Sequence, residues 1–213
     1  MKDPKAVADP RAQLVGEGYD RIGEGFDEWR ERIVGDPRER WLGELTSRLW
    51  DGARVLELGC GSGLAETRVL ALRYRVTGVD VSATQIRRAR TNVPAARFVH
   101  ADFTSLELPP ATFEAVCSFY AFNHVPRDLL PLVFERVHGW LRPGGYFLVS
   151  LGAADTPGRT AEWLGATMFF SGYDPETNRR LFDEAGFERL LDEVVTFQEP
   201  DGEPTFHWVL ARR

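Results

Sequence analysis

The run Val55-Leu56-Glu57-Leu58-Gly59-Cys60-Gly61-Ser62-Gly63 decides how the rest of the sequence is read. Residues 54–58 are apolar at most positions, which fits a strand buried on both faces. Three glycines at alternate positions end it, and residues 64–72 then take up a helical pattern. A glycine-rich turn between strand and helix lets a ligand approach the main chain where Cβ atoms would stand in the way. It also presents helix N-terminal N–H groups to an anion. The spacing here is Gly-x-Gly-x-Gly. A dinucleotide fingerprint, Gly-x-Gly-x-x-Gly, needs glycine at position 64 counted from Gly59, or at 66 counted from Gly61. The sequence has Leu64 and Glu66, so the dinucleotide reading fails on spacing.

Downstream, strand-like and helical segments alternate. Residues 76–80 form a second strand, and Ser82 with Gln85 makes an S-x-x-Q capping box for a helix running to about Asn92. Residues 97–100 and 113–119 give a third and a fourth strand. Leu129, Leu130, Val133, Phe134, Val137, Trp140 and Leu141 fall on one face of the next helix. That helix stops at Arg142-Pro143-Gly144-Gly145, and a fifth strand follows over residues 146–151. Asp174-Pro175 starts a helix that Gly186 ends. Two further strand-like runs, 187–198 and 205–212, are joined by a short loop centred on Asp201-Gly202, which makes them an antiparallel hairpin. The expected fold is α/β: a Rossmann-like, mostly parallel seven-stranded sheet with helices on both faces and a C-terminal antiparallel hairpin. Residues 51–213 form this domain. Residues 1–50 are expected to be an N-terminal helical cap or lid, helical from Tyr19 onward, with the stretch before it polar and its extreme end loose.

The E-L-G-C-G-S-G run, between strand and helix, resembles the first motif of class I S-adenosylmethionine (SAM) dependent methyltransferases. The resemblance covers roughly residues 52–151 and implies SAM as cofactor, S-adenosylhomocysteine as product, and the following roles. Glu57, Gly59, Gly61 and Gly63 form the cofactor turn. Asp80, about 20 residues further on at the end of the second strand, accepts from the ribose hydroxyls. Asp102 accepts from the adenine amino group, with Phe103 packed on the ring; His100 matches no required position. Ser118 and Phe119, at the end of the fourth strand, face the methyl group or the methionine end. Asn123-His124-Val125-Pro126 and Leu141-Arg142-Pro143-Gly144-Gly145 resemble the small-molecule branch, which includes quinone-biosynthesis enzymes. The N-P-P-Y type motif of base and glutamine methyltransferases is absent, and Ser118 stands where catechol-type enzymes place a metal-binding aspartate. No metal is expected.

Two residues are candidates for the chemistry beyond cofactor binding. Tyr19 is a lid over the sulfonium, by cation–π contact or hydrogen bonding, or it simply packs with Phe26 and Trp29. His124 follows the fourth strand and titrates near neutrality, so it is the candidate base; a structural histidine pinning the loop before Pro126 is the other reading. His207 is a weaker candidate, with one face of its strand toward the core. The insert 155–173 carries the aromatic patch Met168-Phe169-Phe170-Ser171-Gly172-Tyr173. With Tyr120 and Phe122 it either walls an acceptor pocket or packs as core.

Bulk properties narrow the partners. Net charge is −6, which argues against a nucleic-acid substrate, since duplex and structured RNA binders carry a basic footprint. The cluster Arg87-Arg88-Ala89-Arg90 reads as a solvated helix face. No apolar run approaches the roughly 20 residues of a membrane span, and Met1–Lys5 leads into no apolar signal region. Cys60 and Cys117 lack a partner at Cys-x-x-Cys spacing, consistent with a reducing, cytoplasmic setting. The acceptor is expected to be a small, hydrophobic molecule, aromatic ones included, methylated at O, N or C. Two other readings stay open: a SAM-binding regulator or scaffold without methyl transfer, and an RNA or protein methyltransferase. The sequence is silent on oligomeric state.

Overall fold

The computed structural model describes residues 9–213. The expected loose N-terminal end falls largely on residues 1–8, outside them. Strand β1 (Arg54–Leu58) is buried at four of its five positions because it has parallel partners on both sides, β2 (Arg75–Asp80) and β4 (Phe113–Ser118). Strand β3 (Arg97–His100) extends the sheet beyond β2, and β5 (Leu141–Gly152) beyond β4, again parallel. The C-terminal hairpin, β8 (Glu188–Thr196) and β9 (Thr205–Arg212), completes a seven-stranded sheet in the order β3-β2-β1-β4-β5-β9-β8. Of these strands β9 alone runs against its neighbours. The α/β fold expected from the alternation is therefore the one found.

Alternate side chains of the central strands feed two cores. On one face α6 (Leu130–Trp140) and α7 (Pro175–Glu184) bring Val133, Phe134, Leu181 and Phe182 against Leu56, Val116 and Phe147. On the other, α3 (Arg38–Thr46) packs Trp41 and Leu45 against Val55, Cys117 and Leu148. Trp41 stacks on Trp208 of β9 with ring centroids 5.7 Å apart. Helix α4 (Glu66–Leu70) follows the glycine turn. Helix α5 (Ala83–Asn92) starts at Ser82, whose hydroxyl accepts from the Gln85 N–H at 3.1 Å as the capping box requires.

The N-terminal region departs from the sequence reading. Helix α1 runs from Pro10 to Ile22, so the polar stretch before Tyr19 is helical, with Asp9 as its N-cap. Gly16 and Gly18 count against a helix in isolation, but here they permit contact. A Cβ on Gly16 would stand 2.9 Å from the Val81 carbonyl oxygen, and one on Gly18 2.2 Å from the Met168 sulfur. Packing overrides propensity. A short helix α2 (Gly25–Arg30) lies between α1 and α3.

The insert is also more ordered than expected. It forms a two-stranded antiparallel hairpin, β6 (Thr156–Trp163) and β7 (Ala166–Gly172), separate from the main sheet. Leu164 and Gly165 connect the strands with φ of 50° and 77°, the both-positive geometry of a two-residue hairpin turn. Leu-Gly is a poor advertisement for such a turn, which is why the hairpin was not legible. Strand β5 likewise begins before the expected Tyr146, with a register shift against β4 absorbing the Arg142–Gly145 stretch.

Candidate active site

The three glycines of the β1–α4 turn all take positive φ: 77° at Gly59, 53° at Gly61 and 73° at Gly63. L-residues resist this region, so the turn depends on glycine. The Gly59 N–H donates to the Val79 carbonyl at 2.8 Å, which lays the turn across the end of β2. There Asp80 accepts from the Gly61 N–H and the Ser82 N–H, each at 2.8 Å. Burial pushes the Asp80 carboxyl up from its ordinary value, and these two N–H donors oppose the shift. Asp20 of α1 accepts from the Ser82 hydroxyl at 2.6 Å and the Thr84 N–H at 2.7 Å, tying the N-terminal helix to the same corner.

Over this corner lies a cavity of about 530 Å³, within the range of small-ligand sites. Gly59, Gly61, Gly63, Asp80, Asp102 and Phe103 all line it. Asp102 is engaged locally, accepting from the Thr104 N–H and hydroxyl at 2.8 Å each. Phe103 stacks on Phe122 at 5.4 Å. Phe119, Tyr19 and His124 line the cavity too.

Two of the residues expected at the cofactor do not line the cavity. Glu57 is 1 % exposed, lies off the cavity, and accepts from the Thr67 hydroxyl at 2.5 Å. Its carboxyl is pushed well up by burial and by the charge of Glu66. Ser118 is fully buried and donates to the Leu58 carbonyl at 2.7 Å, clasping β4 to β1. Both belong to the floor below the cavity. Within the aromatic insert Phe170 lines the cavity, whereas Tyr173 does not; Tyr120 does, whereas Phe122 is core. His207 is buried against Asp192 at 2.9 Å, away from the cavity, and His100 bonds the Val81 carbonyl at the surface.

The two chemical candidates meet. The Tyr19 hydroxyl is 3.1 Å from His124 Nε2, and His124 Nδ1 is 2.7 Å from the Phe169 carbonyl. A carbonyl only accepts, so Nδ1 carries the proton and Nε2 accepts from Tyr19. The Tyr19 ring also packs, meeting Phe26 edge-on at 5.4 Å. Burial lowers the His124 pKa to about 4 and raises that of Tyr19. His124 is thus neutral in the fold where the unfolded chain, with a value near 6.5, takes up a proton. Between those values the unfolded state binds more protons, so stability falls as pH drops from 6.5 toward 4. The whole effect is about 3 kcal/mol. Urea titrations between pH 4 and 7 are expected to show a shallower decline for His124→Gln than for wild type; parallel curves would contradict the buried neutral ring.

A cluster the sequence did not reveal completes the cavity. Arg38 pairs with Asp36 at 2.5 Å and Glu66 at 3.0 Å, and its guanidinium lies 4.7 Å from the centre of the Tyr120 ring. The Tyr120 hydroxyl donates to Asp36 at 2.6 Å, and Tyr120 itself has a φ of 57°. Glu199, from the β8–β9 loop, has a carboxyl pushed up to about 7 by burial and by Asp36 and Asp201. No sequence signal marks these residues as neighbours. Among the described residues no group of three or more His, Cys, Asp or Glu has metal-holding geometry, and no helix is long and apolar enough to cross a membrane.

Comparison with known proteins bears on the middle of the chain. A family model described as a methyltransferase domain matches residues 55–145. An uncharacterized methyltransferase of Mycobacterium tuberculosis is 40 % identical over 97 residues, 45 % of this chain and 48 % of the relative. Trans-aconitate 2-methyltransferase of Rhodopseudomonas palustris is 36 % identical over 121 residues, 54 % of this chain and 46 % of the relative. The chain thus spans about half the length of these curated relatives. Among solved structures, the 1,6-didemethyltoxoflavin-N1-methyltransferase of Burkholderia thailandensis, with bound 1,6-didemethyltoxoflavin and S-adenosylhomocysteine, superposes with a TM-score of 0.73 at 22 % identity. That match covers 100 % of this chain and 93 % of the other. Residues 55–145 thus match a methyltransferase domain, and the sheet order places them in the fold that the solved methyltransferase shares.

Proposed function

We propose that this protein binds SAM and transfers its methyl group to a small-molecule acceptor. One observation carries the reading: the glycine turn, the buried Asp80 carboxylate and the Tyr19–His124 pair all open on a single cavity. The cavity suits the nucleoside. Asp80 is desolvated, and its two oxygens keep lone pairs beyond the two N–H bonds they accept. Ribose hydroxyls donating there would relieve the cost of its burial. Gly61 leaves open space where a Cβ would project, as a close ligand approach needs. Asp102 and Phe103 would hold the base, and the cluster around Arg38 and Tyr120 the amino-acid end. The trans-aconitate relative, named for a small molecule, supports an acceptor of that size.

SAM, when bound, supplies a methyl group on a positively charged sulfur, already activated for displacement. What remains for the protein is alignment in a closed site and removal of the acceptor's proton. Helix α1 and the β6–β7 hairpin form the cover. Tyr19 takes the acceptor's proton while passing its own to His124 Nε2, which is free of hydrogen and hydrogen-bonded to it.

Calorimetric titration with SAM and, separately, with NADH tests the reading. Wild type is expected to bind SAM and not NADH. Asp80→Ala is expected to weaken SAM binding about 100-fold, since it removes charge-assisted bonds to the ligand. Folded wild-type protein that ignores SAM would overturn the proposal.

A further inference from the structure

Three arginines line the cavity: Arg30, Arg38 and Arg159. Arg38 is neutralised by Asp36 and Glu66. The other two are not. Among the described residues neither Arg30 nor Arg159 has a carboxylate within ion-pairing distance, although twelve other arginines do. The Nε of Arg30 is shut off from solvent and has no hydrogen-bond partner. A buried guanidinium donor without an acceptor is costly, and an anion in the cavity that Arg30 lines would offset that cost through the guanidinium's charge.

The nearby acids are engaged elsewhere. Asp27 is held by Arg88 at 2.7 Å and by the Ser62 hydroxyl at 2.9 Å. Asp201 accepts from the Trp29 indole at 2.9 Å.

Arg159 stands on an aromatic wall of the cavity, and Arg30 lines the same cavity from α2. Arg159 shares a face of the hairpin with Phe170, directly across the strands, and its guanidinium lies 5.6 Å from that ring. Trp163 is on the same face, four residues along β6. Arg30 follows Trp29 in α2, and the Trp29 and Trp163 rings meet edge-on at 5.0 Å. Phe170 in turn lies 4.9 Å from the His124 ring, ring centre to ring centre. Arg159 therefore stands toward the end of the cavity that holds the Tyr19–His124 pair, and Arg30 lies one turn after Asp27, which joins α2 to Ser62 of the glycine turn.

Resting on the methyl-transfer reading, we propose that the acceptor bears an oxyanion, a carboxylate or a phosphate, which Arg30 and Arg159 grip while its planar or apolar body lies against Trp29, Trp163 and Phe170. Arginine suits both oxyanions through paired N–H donors. The anion is the handle that sets the acceptor's reacting atom beside Tyr19.

The test uses full-length protein saturated with S-adenosylhomocysteine, titrated with benzoate, benzamide, phenyl phosphate and phenol. At least one anion is expected to bind about 10-fold or more tightly than its neutral counterpart. Preference for benzoate over benzamide marks a carboxylate handle, and for phenyl phosphate over phenol a phosphate handle. Arg159→Gln and Arg30→Gln are each expected to erase the preference while S-adenosylhomocysteine affinity, the check on folding, stays at the wild-type value. Equal binding of anion and neutral probe, no binding of either anion at millimolar concentration, or a preference that survives both substitutions overturns the inference alone. Folded protein that does not take up S-adenosylhomocysteine overturns the methyl-transfer reading beneath it.

Discussion

A Gly59→Ala protein is expected to lose SAM affinity by about 100-fold or more and to be destabilised by about 3 kcal/mol. The added Cβ would stand 2.3 Å from the Cβ of Ala121, closer than any real contact. Neither atom has a torsion that can swing it aside, so backbone must move, on the β1–α4 turn or on the loop after β4. Both segments line the cavity. Overpacking of this kind costs about 1–3 kcal/mol, and the φ of 77° adds a further penalty for any L-residue. Displacement of the turn also pulls the Gly61 N–H from Asp80, now 2.8 Å away. Gly61→Ala is the control: it shares the positive φ but meets no atom within 4 Å. Its stability loss is expected to be about 1 kcal/mol. Adding Ala121→Gly to Gly59→Ala should return the steric share of the loss and leave the backbone share. Urea melts and SAM titrations of the four proteins decide the matter, and a Gly59→Ala protein indistinguishable from wild type would refute the close-approach argument.

The contrast between those two glycines marks what a sequence can and cannot disclose. Gly59, Gly61, Gly63 and Asp80 were readable because the fold places them by local rules: a buried apolar strand, a turn, a second strand, a capped helix. Each step is visible within about ten residues of the last. The roles of Glu57 and Ser118 came from the resemblance, and strand alternation turns both away from the cavity. Side chains alternate along a strand, and each of these turned to the floor, where Thr67 and the Leu58 carbonyl hold it. Arg30, Asp36, Arg38, Arg159 and Glu199 were invisible for another reason. They come from α2, the loop before α3, the first residue of α3, β6 and the β8–β9 loop, and nothing in any one segment announces the others. Helix α1 was half hidden because Gly16 and Gly18 lower local helix propensity in exchange for close packing on Val81 and Met168.

The cover over the cavity is built from those less legible parts, and it explains why His124 behaves unlike an isolated imidazole. Its ring is enclosed by α1 on one side and β7 on the other, through Tyr19 and the Phe169 carbonyl. Enclosure keeps it neutral and fixes which nitrogen accepts. A histidine read from sequence as titrating near neutrality is, in the fold, a neutral ring whose Nε2 stays free of a proton throughout the neutral range.

Tyr19→Phe and His124→Gln are accordingly each expected to lower kcat by about 100-fold or more with an acceptor that must lose a proton. The double variant should fall little further than either single one. In the proposed relay Tyr19 faces the acceptor and His124 accepts from Tyr19, so removing either member breaks the same chain of two hydrogen bonds. Residues that act as a unit show such non-additivity. Two independent packing roles would instead multiply, giving a double variant worse by the product of the single losses. SAM affinity should hold in all three, which separates loss of proton removal from loss of the cofactor site. The pH dependence provides a second discriminant. Because burial holds His124 near 4, wild-type kcat/KM should show no acid limb from this ring between pH 6 and 9. A His124→Gln protein with wild-type turnover across that range would exclude the relay and leave the histidine as a pin between α1 and β7.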